Sequence, residues 1–472
     1  MTIEYRMLID GALVQGTSML DVVDPSTGVA FAQCARTDAA QLDMAVAAAV
    51  RAFPSWASAG WAQRRDVLAA LADAIEARAD EFARLLTAEQ GKPFVQSQME
   101  VAGSVAAFRY FPAQELAPET LVDEADTLVL QHHAPLGVVA VIVPWNFPLI
   151  LLALKLSCAL ATGNTVVAKP APTTPLTALL LGEVAALLLP AGVVNIIVDD
   201  NDLGGQLSAH PDIAKVTFTG STATGRKVMG AAAATIKRLT LELGGNDVAI
   251  LLDDVDVDAV APKVFGAATF NSGQVCTAAK RIYAPRAIYD AVCDALATCA
   301  REAVVGTGSD PATTHGPVQN RMQYDRLLAL IADARRTGTV VAGGDIMEGP
   351  GFFIPPTIVR DLPDDARLVR EEQFGPVVPV LAYGDIAEVL TRANDSEFGL
   401  AGSVWGGDVD RATAVAMRID SGTVWVNKHL DLRFDVPFGG AKQSGIGREQ
   451  GRDGLREFVQ PRVVNVARSS AA

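Results

Sequence analysis

The chain has 472 residues, of which half are apolar and 20% are charged, and its formal net charge is -15. This composition is typical of a globular protein with two or three domains and a sizeable core, and it excludes a disordered chain. The excess of acidic residues argues against a nucleic-acid or anionic-membrane partner, because both bind clustered Lys and Arg side chains.

Targeting signals and metal ligands are not expected from the sequence. The first four residues lack the basic and apolar regions of a secretory leader, and the longest apolar runs are interrupted by Lys155 and Glu183 before they could span a bilayer. The five histidines form no ligand cluster, so no metal site is predicted. The cysteines are far apart and contain no Cys-x-x-Cys pair, which predicts a cytoplasmic protein with free thiols; they lie at positions 34, 158, 276, 293 and 299.

The first part of the chain is rich in alanine and is predicted to be helical. Residues 37–53 have apolar positions at helical spacing and Thr37 as a candidate N-cap. Residues 64–93 predict a longer helix or a pair of helices, which Gly91 and Pro93 bring to an end.

The middle of the chain alternates between short apolar runs and helical segments. The predicted strands are 137–143, 165–169, 193–198, 214–220 and 238–243. Predicted helices lie between them, reaching residue 163, then covering 173–189 and 202–210, and starting again at Thr222. Such alternation predicts a parallel sheet with right-handed crossovers, in which ligands bind beyond the carboxyl ends of the strands.

Three regions are expected from this pattern. A first α/β domain comprises residues 1–116 and 136–244, and a second α/β unit covers 245–444 and begins with a strand at 247–254. Residues 117–135 and 456–472 contain extended, alternating segments outside either core. We expect these two segments to form an arm that pairs strand edges between subunits.

Polar or glycine-containing segments follow the predicted strands, where function is expected. They are "PWNFP" (144–148), "KPAPTTP" (169–175), "FTGSTATG" (218–225), "LELGG" (241–245), "NSGQVC" (271–276), "EEQFGPVVP" (371–379) and "PFGGAKQSGIGREQG" (437–451). In this order they resemble the aldehyde dehydrogenase superfamily over nearly the whole chain, and bacterial broad-range catabolic members in particular. The resemblance implies a Rossmann-like NAD-binding domain for the first region, a catalytic domain for the second and a small oligomerisation arm.

The chemistry of aldehyde oxidation explains the catalytic candidates. An aldehyde carbon has no adjacent oxyanion to expel a hydride, so a nucleophile must add first, and a thiol is well suited to this. The resemblance assigns that role to Cys276 and the oxyanion-binding role to the Asn146 side chain and the Cys276 N–H. Glu242 stands alone in an apolar strand, which should raise its pKa toward that of a general base. Glu449 and Lys155 match positions associated with proton relay. The structural alternatives are a turn-forming Asn146 and a salt-bridging Glu242.

The resemblance also implies a cofactor site. The loop from Gly220 to Gly225 opens a helix whose N-terminus attracts phosphate, whereas "GIGREQG" near the C-terminus has the wrong spacing and no preceding strand for a dinucleotide fingerprint. The implied cofactor contacts are Trp145 and Ser221 at the pyrophosphate, Lys169 at the adenosine ribose, Glu372 at the nicotinamide ribose, and Leu243 and Phe374 nearby.

Two departures from the family pattern bear on the choice between NAD and NADP. Many members have a Glu three residues after the Lys that binds the ribose, and this chain has Pro172 there. The loss of that carboxylate removes a repulsion against a 2′-phosphate, whereas the acidic run "DDNDLGG" (199–205) should disfavour the phosphate. NAD is therefore the expected cofactor, with NADP as the second option.

The expected substrate is a medium hydrophobic or aromatic aldehyde. The predicted pocket walls are Phe147, Leu151, Leu154, Val275, Thr277 and Phe438, and the loop 427–438 is expected to anchor the substrate. Arg433 and His429 in that loop raise the alternative of a semialdehyde that carries a carboxylate.

The sequence thus predicts an NAD-dependent aldehyde dehydrogenase, cytoplasmic and assembled as a homodimer or homotetramer, that acts on a small molecule without a nucleic-acid or membrane partner. Three rivals stay open. A CoA-acylating dehydrogenase needs no general base, a thiol esterase needs no cofactor, and a non-catalytic protein on the same fold needs none of Cys276, Glu242 and Asn146.

Overall fold

The computed structural model describes residues 4–468, so residues 1–3 and 469–472, which belong to the predicted first domain and arm, lie outside it. The strands are β1 Glu4–Tyr5, β2 Met7–Ile9, β3 Ala12–Val14, β4 Ser18–Asp24, β5 Val29–Arg36, β6 Glu119–Asp123, β7 Thr127–Pro135, β8 Val138–Ile142, β9 Thr165–Lys169, β10 Val194–Ile196, β11 Ile213–Thr219, β12 Arg238–Glu242, β13 Asp247–Leu251, β14 Ala279–Pro285, β15 Thr339–Ala342, β16 Thr357–Arg360, β17 Val377–Tyr383, β18 Phe398–Gly399, β19 Ala401–Trp405, β20 Thr423–Val426, β21 Ala441–Lys442, β22 Gly445–Ile446 and β23 Val459–Ala467.

Helices connect most of these strands. They are α1 Ala39–Ser58, α2 Trp61–Ala77, α3 Ala79–Gln90, α4 Phe94–Tyr110, α5 Pro148–Ala161, α6 Leu176–Leu188, α7 Gly204–Ala209, α8 Thr222–Ala232, α9 Val257–Thr269, α10 Tyr289–Glu302, α11 Arg321–Thr337, α12 Arg367–Arg370, α13 Ile386–Asn394, α14 Val409–Ala416 and α15 Gly451–Arg456, with short 3-10 turns at Phe111–Ala113, Ala233–Thr235 and Phe270–Gly273.

The first large sheet contains the five alternating strands predicted from the sequence. Its order is β22-β12-β11-β8-β9-β10-β2-β3, and the five strands from β12 to β10 run parallel. β8 and β9 are buried at every position, as expected for a parallel sheet covered on both faces. The fold class predicted from the sequence is confirmed.

The second large sheet has the order β15-β16-β17-β14-β13-β19-β20, in which only β15 runs antiparallel to its neighbour. Its first strand along the chain, β13, ends three residues before the predicted residue 254, because a turn follows. The domain boundaries stay a prediction. Strand β22, which begins one residue beyond the predicted end of the second unit at 444, joins the first sheet.

A three-stranded antiparallel sheet, β23-β7-β6, unites the two segments predicted to form an arm. β23 pairs along its whole length with β7, from Val459 opposite Pro135 to Ala467 opposite Thr127. All of β23 after Val459 is exposed. Two chain segments more than 300 residues apart therefore form one exposed sheet.

The structure corrects the prediction that the first part of the chain is only helical. Residues 4–36 form β1 to β5, and these strands are short and partly exposed, so they lack the long apolar runs that mark buried strands. The N-cap of α1 is Asp38 and not Thr37, because the Asp38 side chain accepts a hydrogen bond from the Gln41 N–H. Helix α1 also continues through Pro54 to Ser58, since a proline removes one hydrogen bond from a helix whose other bonds remain.

The register of the first sheet brings the predicted site residues to one edge. Ile142 pairs with both Lys169 and Phe218, and Thr219 pairs with Glu242. The carboxyl ends of β8, β9, β11 and β12 therefore lie at the same level, and the segments that follow these strands project from one edge of the sheet.

Helix α6 provides a test of how the core is stabilised. Leu181 is buried in the first core, whereas Leu187 on the same helix is 84% exposed. We expect Leu181→Ala to lower the free energy of unfolding by about 2–5 kcal/mol through lost burial and a cavity. Leu187→Ala should change it by less than about 0.5 kcal/mol. Urea denaturation followed by circular dichroism measures both, and equal effects of the two substitutions would contradict the assignment of this core.

Candidate active site

A cavity of about 1210 Å³ opens at the carboxyl edge of the first sheet and is also lined by residues of the second unit. Ten residues predicted to act in catalysis or cofactor binding line it: Trp145, Asn146, Lys169, Gly220, Ser221, Glu242, Leu243, Cys276, Glu372 and Phe374. Gly225 is not in the lining. It lies behind the cavity, where a Cβ atom would come within 2.5 Å of the Leu243 side chain, so only glycine lets α8 approach this strand end.

The loop before Cys276 has an unusual backbone. Asn271, Ser272 and Gly273 are consecutive residues with φ values of 49°, 53° and 71°, in the left-handed region. Such conformations persist in non-glycine residues only where the surrounding structure imposes them. A Cβ at Gly273 would lie 2.2 Å from the carbonyl oxygen of Gly375, so the tight turn expected from the small residues also requires close contact with a second loop.

Buried hydrogen bonds hold this loop in place. The Ser272 hydroxyl donates to the Gly316 carbonyl at 2.7 Å. The buried Lys280 ammonium donates to the carbonyls of Gly273, at 2.5 Å, and of Gly375, at 3.0 Å. Lys280 therefore joins the loop before Cys276 to the loop that follows Glu372. It lies four residues after Cys276, but nothing in the sequence pattern distinguished it from a surface lysine.

The partly exposed Cys276 thiol faces the Glu242 carboxyl across the boundary between the two units. Burial, and next the negative charge of Glu242, hold the pKa of this thiol well above its usual range. Burial likewise raises the pKa of the other four thiols. Acidity therefore does not separate Cys276 from the other cysteines. It is distinguished by its position on the cavity and by the carboxyl beside it.

Glu242 lies at the last position of β12 and is 3% exposed. Burial raises its pKa to about 8, with a further contribution from the negative charge of Glu449 that the Lys155 ammonium partly offsets. Its Oε1 atom has no hydrogen-bond partner within residues 4–468. A buried polar atom without a partner is rare. A carboxyl of this acidity beside a thiol and a cavity can accept a proton near neutral pH.

Asn146 is held from both of its ends. Its side-chain Nδ2 donates to the Gln274 carbonyl at 2.9 Å, and its backbone carbonyl accepts from the Lys92 ammonium at 2.8 Å and from Asn271 Nδ2 at 3.1 Å. An amide nitrogen carries two N–H groups, so one remains to face a ligand. The interactions connect Asn146 to the loop before Cys276, although 128 residues separate it from Gln274.

Lys92 is a residue of this site that the sequence analysis missed. It is 1% exposed, forms an ion pair with Glu100 at 2.5 Å, and lies 3.9 Å above the centre of the Phe147 ring. Glu100 in turn accepts hydrogen bonds from the first N–H groups of α5, those of Leu149 and Ile150. The sequence signal, a lysine between the helix-ending Gly91 and Pro93, pointed only to a turn.

The two residues associated with proton relay form a contact of their own. Lys155 Nζ contacts Glu449 Oε1 and also lies 3.3 Å from the Thr217 hydroxyl. Both charges influence the pKa of Glu242, so the pair lies within electrostatic range of the carboxyl. A role in proton relay stays a prediction.

The side chains expected to contact the cofactor also line the cavity. Glu372 accepts a hydrogen bond from the Gly245 N–H at 3.0 Å, and its pKa is raised to about 7, chiefly by burial. The Trp145 and Phe374 rings meet edge to face at 5.3 Å. Ser221 is the N-cap of α8, so the cavity includes the start of an 11-residue helix, where the positive end of the helix dipole lies.

The six predicted substrate residues do not line this cavity. Phe147 stacks against Phe270 at 6.2 Å between ring centres. Leu151 is partly buried, and the other four residues are buried. The predicted anchor loop adds Phe434, which packs between Tyr110 and Phe111 at 5.8 and 5.7 Å. The assignment of these six residues to a substrate pocket therefore stays a prediction. Several of their neighbours are aromatic or apolar.

The two residues that raised the semialdehyde alternative are engaged elsewhere. The His429 ring donates to the Thr277 carbonyl at 2.6 Å and accepts from the Ser403 hydroxyl at 2.9 Å. Burial lowers the pKa of His429 to about 4, so the ring is neutral at pH 7. Arg433 forms two hydrogen bonds with Asp435, at 2.9 and 2.7 Å. Neither side chain presents a free positive charge to a carboxylate.

Within residues 4–468 there is no group of three or more His, Cys, Asp or Glu side chains that could hold a metal ion. No helix in that range combines the length and the apolar character needed to cross a bilayer.

Comparisons with known proteins agree on one family. The aldehyde dehydrogenase family matches residues 13–464. The chain is 40% identical to the mitochondrial aldehyde dehydrogenase of Leishmania tarentolae, over 99% of this chain and 96% of that protein. It is 37% identical to retinal dehydrogenase 2 of Gallus gallus, over 94% and 88%. It also resembles the NAD+ complex of an aldehyde dehydrogenase from Bacillus cereus, with a TM-score of 0.96 and 37% identity, over 99% and 97% of the two chains.

The contact between Cys276 and Glu242 predicts how the thiol responds to pH. Because the neighbouring negative charge raises the pKa of the thiol, Glu242→Gln should lower that pKa and shift the alkylation profile toward lower pH. We expect several-fold faster carboxymethylation of Cys276 by iodoacetate at pH 8 to 9 in the variant without added cofactor. Mass spectrometry locates the label, and Cys276→Ser is the control for the site. An unchanged or slower rate in Glu242→Gln would contradict the electrostatic coupling.

Proposed function

This chain belongs to the aldehyde dehydrogenase family and is an oxidoreductase that acts on aldehydes with NAD, and from this premise we propose that it forms a carboxylic acid through a thioester on Cys276. The observation that carries the proposal is the pairing of the Cys276 thiol with the buried Glu242 carboxyl. Both side chains line the cavity that also contains Trp145, Ser221 and Glu372.

The residues around the cavity fit NAD. The start of α8 and the Ser221 N-cap suit a pyrophosphate, because free N–H groups and the helix dipole favour negative charge there. Lys169 and Glu372 supply a donor and an acceptor for the ribose hydroxyls, and Trp145 and Phe374 supply apolar walls. When bound, NAD accepts the hydride that leaves the aldehyde carbon. Gly220, Gly225 and Leu243 shape the loop that would lie against it.

The first step is attack of the Cys276 sulfur on the aldehyde carbon. The sulfur–carbon bond forms as the thiol loses its proton, either to Glu242 in its deprotonated form or to solvent water. Negative charge develops on the aldehyde oxygen. The free N–H of Asn146 Nδ2 and the Cys276 N–H would stabilise it, and loss of one such donor typically lowers the rate by ~10²–10³.

The second step is hydrolysis of the thioester. Once hydride has left the carbon, the acyl group remains on the Cys276 sulfur, and a water molecule must be activated to release it. Glu242 in its deprotonated form can take a proton from that water. The carbon–sulfur bond then breaks, which releases the carboxylic acid and restores the thiol. Lys155 and Glu449 are proposed to carry the proton onward from Glu242.

The proposed substrate is a medium hydrophobic or aromatic aldehyde. Apolar or aromatic side chains predominate among the predicted pocket residues and in the Phe434 cluster. The semialdehyde alternative is weakened, because His429 is neutral and fully hydrogen-bonded and Arg433 is paired with Asp435. It stays open until aldehydes with and without a carboxylate are compared.

The rival mechanisms differ in what they require of Glu242 and the cofactor residues. A CoA-acylating enzyme would pass the acyl group to a second thiol and would not need a buried carboxyl beside Cys276. A thiol esterase would not need Glu372 or the start of α8 at the same cavity.

We further propose a cytoplasmic homodimer or homotetramer that pairs through the exposed β23, whose Val463 is 57% exposed.

The central test is aldehyde-dependent reduction of the cofactor. Wild type should produce an increase in absorbance at 340 nm with NAD and hexanal or benzaldehyde, without CoA, and a weaker signal with a carboxylate-bearing semialdehyde. Cys276→Ser should lose the activity, because a hydroxyl is a far weaker nucleophile at pH 7. The absence of any signal from wild type over a panel of aldehydes would overturn the proposal, and a strict need for CoA would favour the acylating rival.

Glu242→Gln separates acyl-enzyme formation from its hydrolysis. The variant should still produce a burst of NADH close to one equivalent per site and then turn over at least ~10²-fold more slowly, as expected when a general base is lost. In wild type the hydrolytic step should accelerate as pH rises through about 8, where the carboxyl loses its proton. Rapid-mixing absorbance measures both phases, and normal steady-state turnover of Glu242→Gln would refute the assignment of the base.

A further inference from the structure

A buried ion pair lies at the opposite side of the cavity from Cys276. Lys169 is the last residue of β9, and its ammonium lies 2.6 Å from the Asp199 Oδ1 atom, just after the neighbouring strand β10. Asp199 is fully buried, and its second oxygen accepts the Leu203 N–H at 2.8 Å. Both carboxylate oxygens are thus engaged, and the Lys169 ammonium is held at a fixed position with donors to spare on the cavity side.

The order of the sheet places this ion pair relative to the chemistry. Strand β9 lies three strands away from β12, which ends at Glu242, and neighbouring strands are about 4.8 Å apart, so the separation across the sheet is roughly 14 Å. A dinucleotide whose reactive ring reached Cys276 would extend along this edge, and Lys169 would then contact its adenosine half. The cavity lining there includes Pro172, Asn201 and Gly204.

We propose that Asp199 is the specificity-determining residue that makes the site prefer NAD over NADP, an inference that rests on the proposed function. Asp199 neutralises the Lys169 ammonium, which lines the cavity at the carboxyl end of β9. Lys169 keeps N–H donors for a ribose hydroxyl, whereas a 2′-phosphate would meet a cation whose charge is already balanced and a carboxylate directly behind it. An acidic side chain at the ribose is a general device for selecting NAD in dinucleotide-binding sheets.

Asp199 differs from the other acidic residues of the run 199–205 in its contact with Lys169. Asp200 is exposed, and Asp202 is paired with Arg36 at 2.7 Å, so neither contacts Lys169 in the structure. Pro172, at the position where a carboxylate is expected from related sequences, carries no charge. The carboxylate that disfavours the 2′-phosphate is therefore that of Asp199, which follows the adjacent strand β10 and acts by neutralising Lys169.

The test compares dinucleotide binding with no aldehyde present. Dissociation constants of NAD and NADP are measured by isothermal titration calorimetry for wild type, Asp199→Asn and Asp200→Asn. Asn keeps an acceptor for the Leu203 N–H and removes only the charge. We expect Asp199→Asn to bind NADP ~10-fold or more tightly than wild type, with NAD binding changed by less than about threefold. Asp200→Asn, with the same change in net charge, should leave the ratio unchanged.

A double substitution shows whether the freed lysine is responsible. Lys169→Gln combined with Asp199→Asn should abolish the gain in NADP affinity, because the ammonium group that Asp199→Asn releases is no longer present. If Asp199→Asn does not fold, as judged by thermal melting, Asp199→Ser replaces it with the same expected result. An unchanged ratio in both Asp199 variants, or an equal gain in Asp200→Asn, would overturn the inference and leave the proposed function intact. Wild type that binds neither dinucleotide would overturn both.

Discussion

The candidate site depends on one contact, that between the Cys276 thiol and the Glu242 carboxyl. Each group is unfavourable to ionise where it lies, because burial raises both pKa values. The negative charge of Glu242 raises the pKa of the thiol further, and that of Glu449 raises the pKa of Glu242. Neither group is therefore a charged reagent in the protein without ligands. As pH approaches about 8 the Glu242 carboxyl loses its proton and can act as a base, which suits a mechanism that uses the thiol first and the carboxyl later.

This contact requires two sheets to be aligned at their edges. Glu242 ends a strand of the first sheet, and Cys276 lies before the second strand of the other unit. Asn146 and Asn271 link the two units, because each donates from its side-chain Nδ2 to a backbone carbonyl of the other unit. Lys92 and Lys280 hold the loops within their own units by donating to backbone carbonyls. Each of these buried ammonium groups replaces lost hydration with hydrogen bonds or an ion pair. The free-energy cost of burying these ammonium groups is offset by the carbonyls that accept their hydrogen bonds. The lysines therefore stabilise the loops, and the loops stabilise the buried lysines.

Much of the fold and of the candidate site could be predicted from the sequence. The parallel strands of the first sheet, the extended segments of the arm and the residues at the strand ends follow from apolar runs, alternation and motif order. The short strands before residue 37 could not be predicted, because their exposed positions resemble loops. Lys92 and Lys280 were missed for a different reason, and the acidic run 199–205 did not show which of its residues contacts Lys169. Each of the two missed lysines acts through a partner distant in sequence, and a buried lysine has no local signature.

The sequence by itself determined the family, the fold class and the types of residue available for chemistry, because these depend on local periodicity and on motifs in a fixed order. The tertiary structure alone decided which charges meet. It paired Lys169 with Asp199, neutralised His429 and Arg433 as binders of a carboxylate, and raised the pKa of the thiol above its usual range. Burial and long-range contact set the energy of a charge, and neither can be read from the order of residues along the chain.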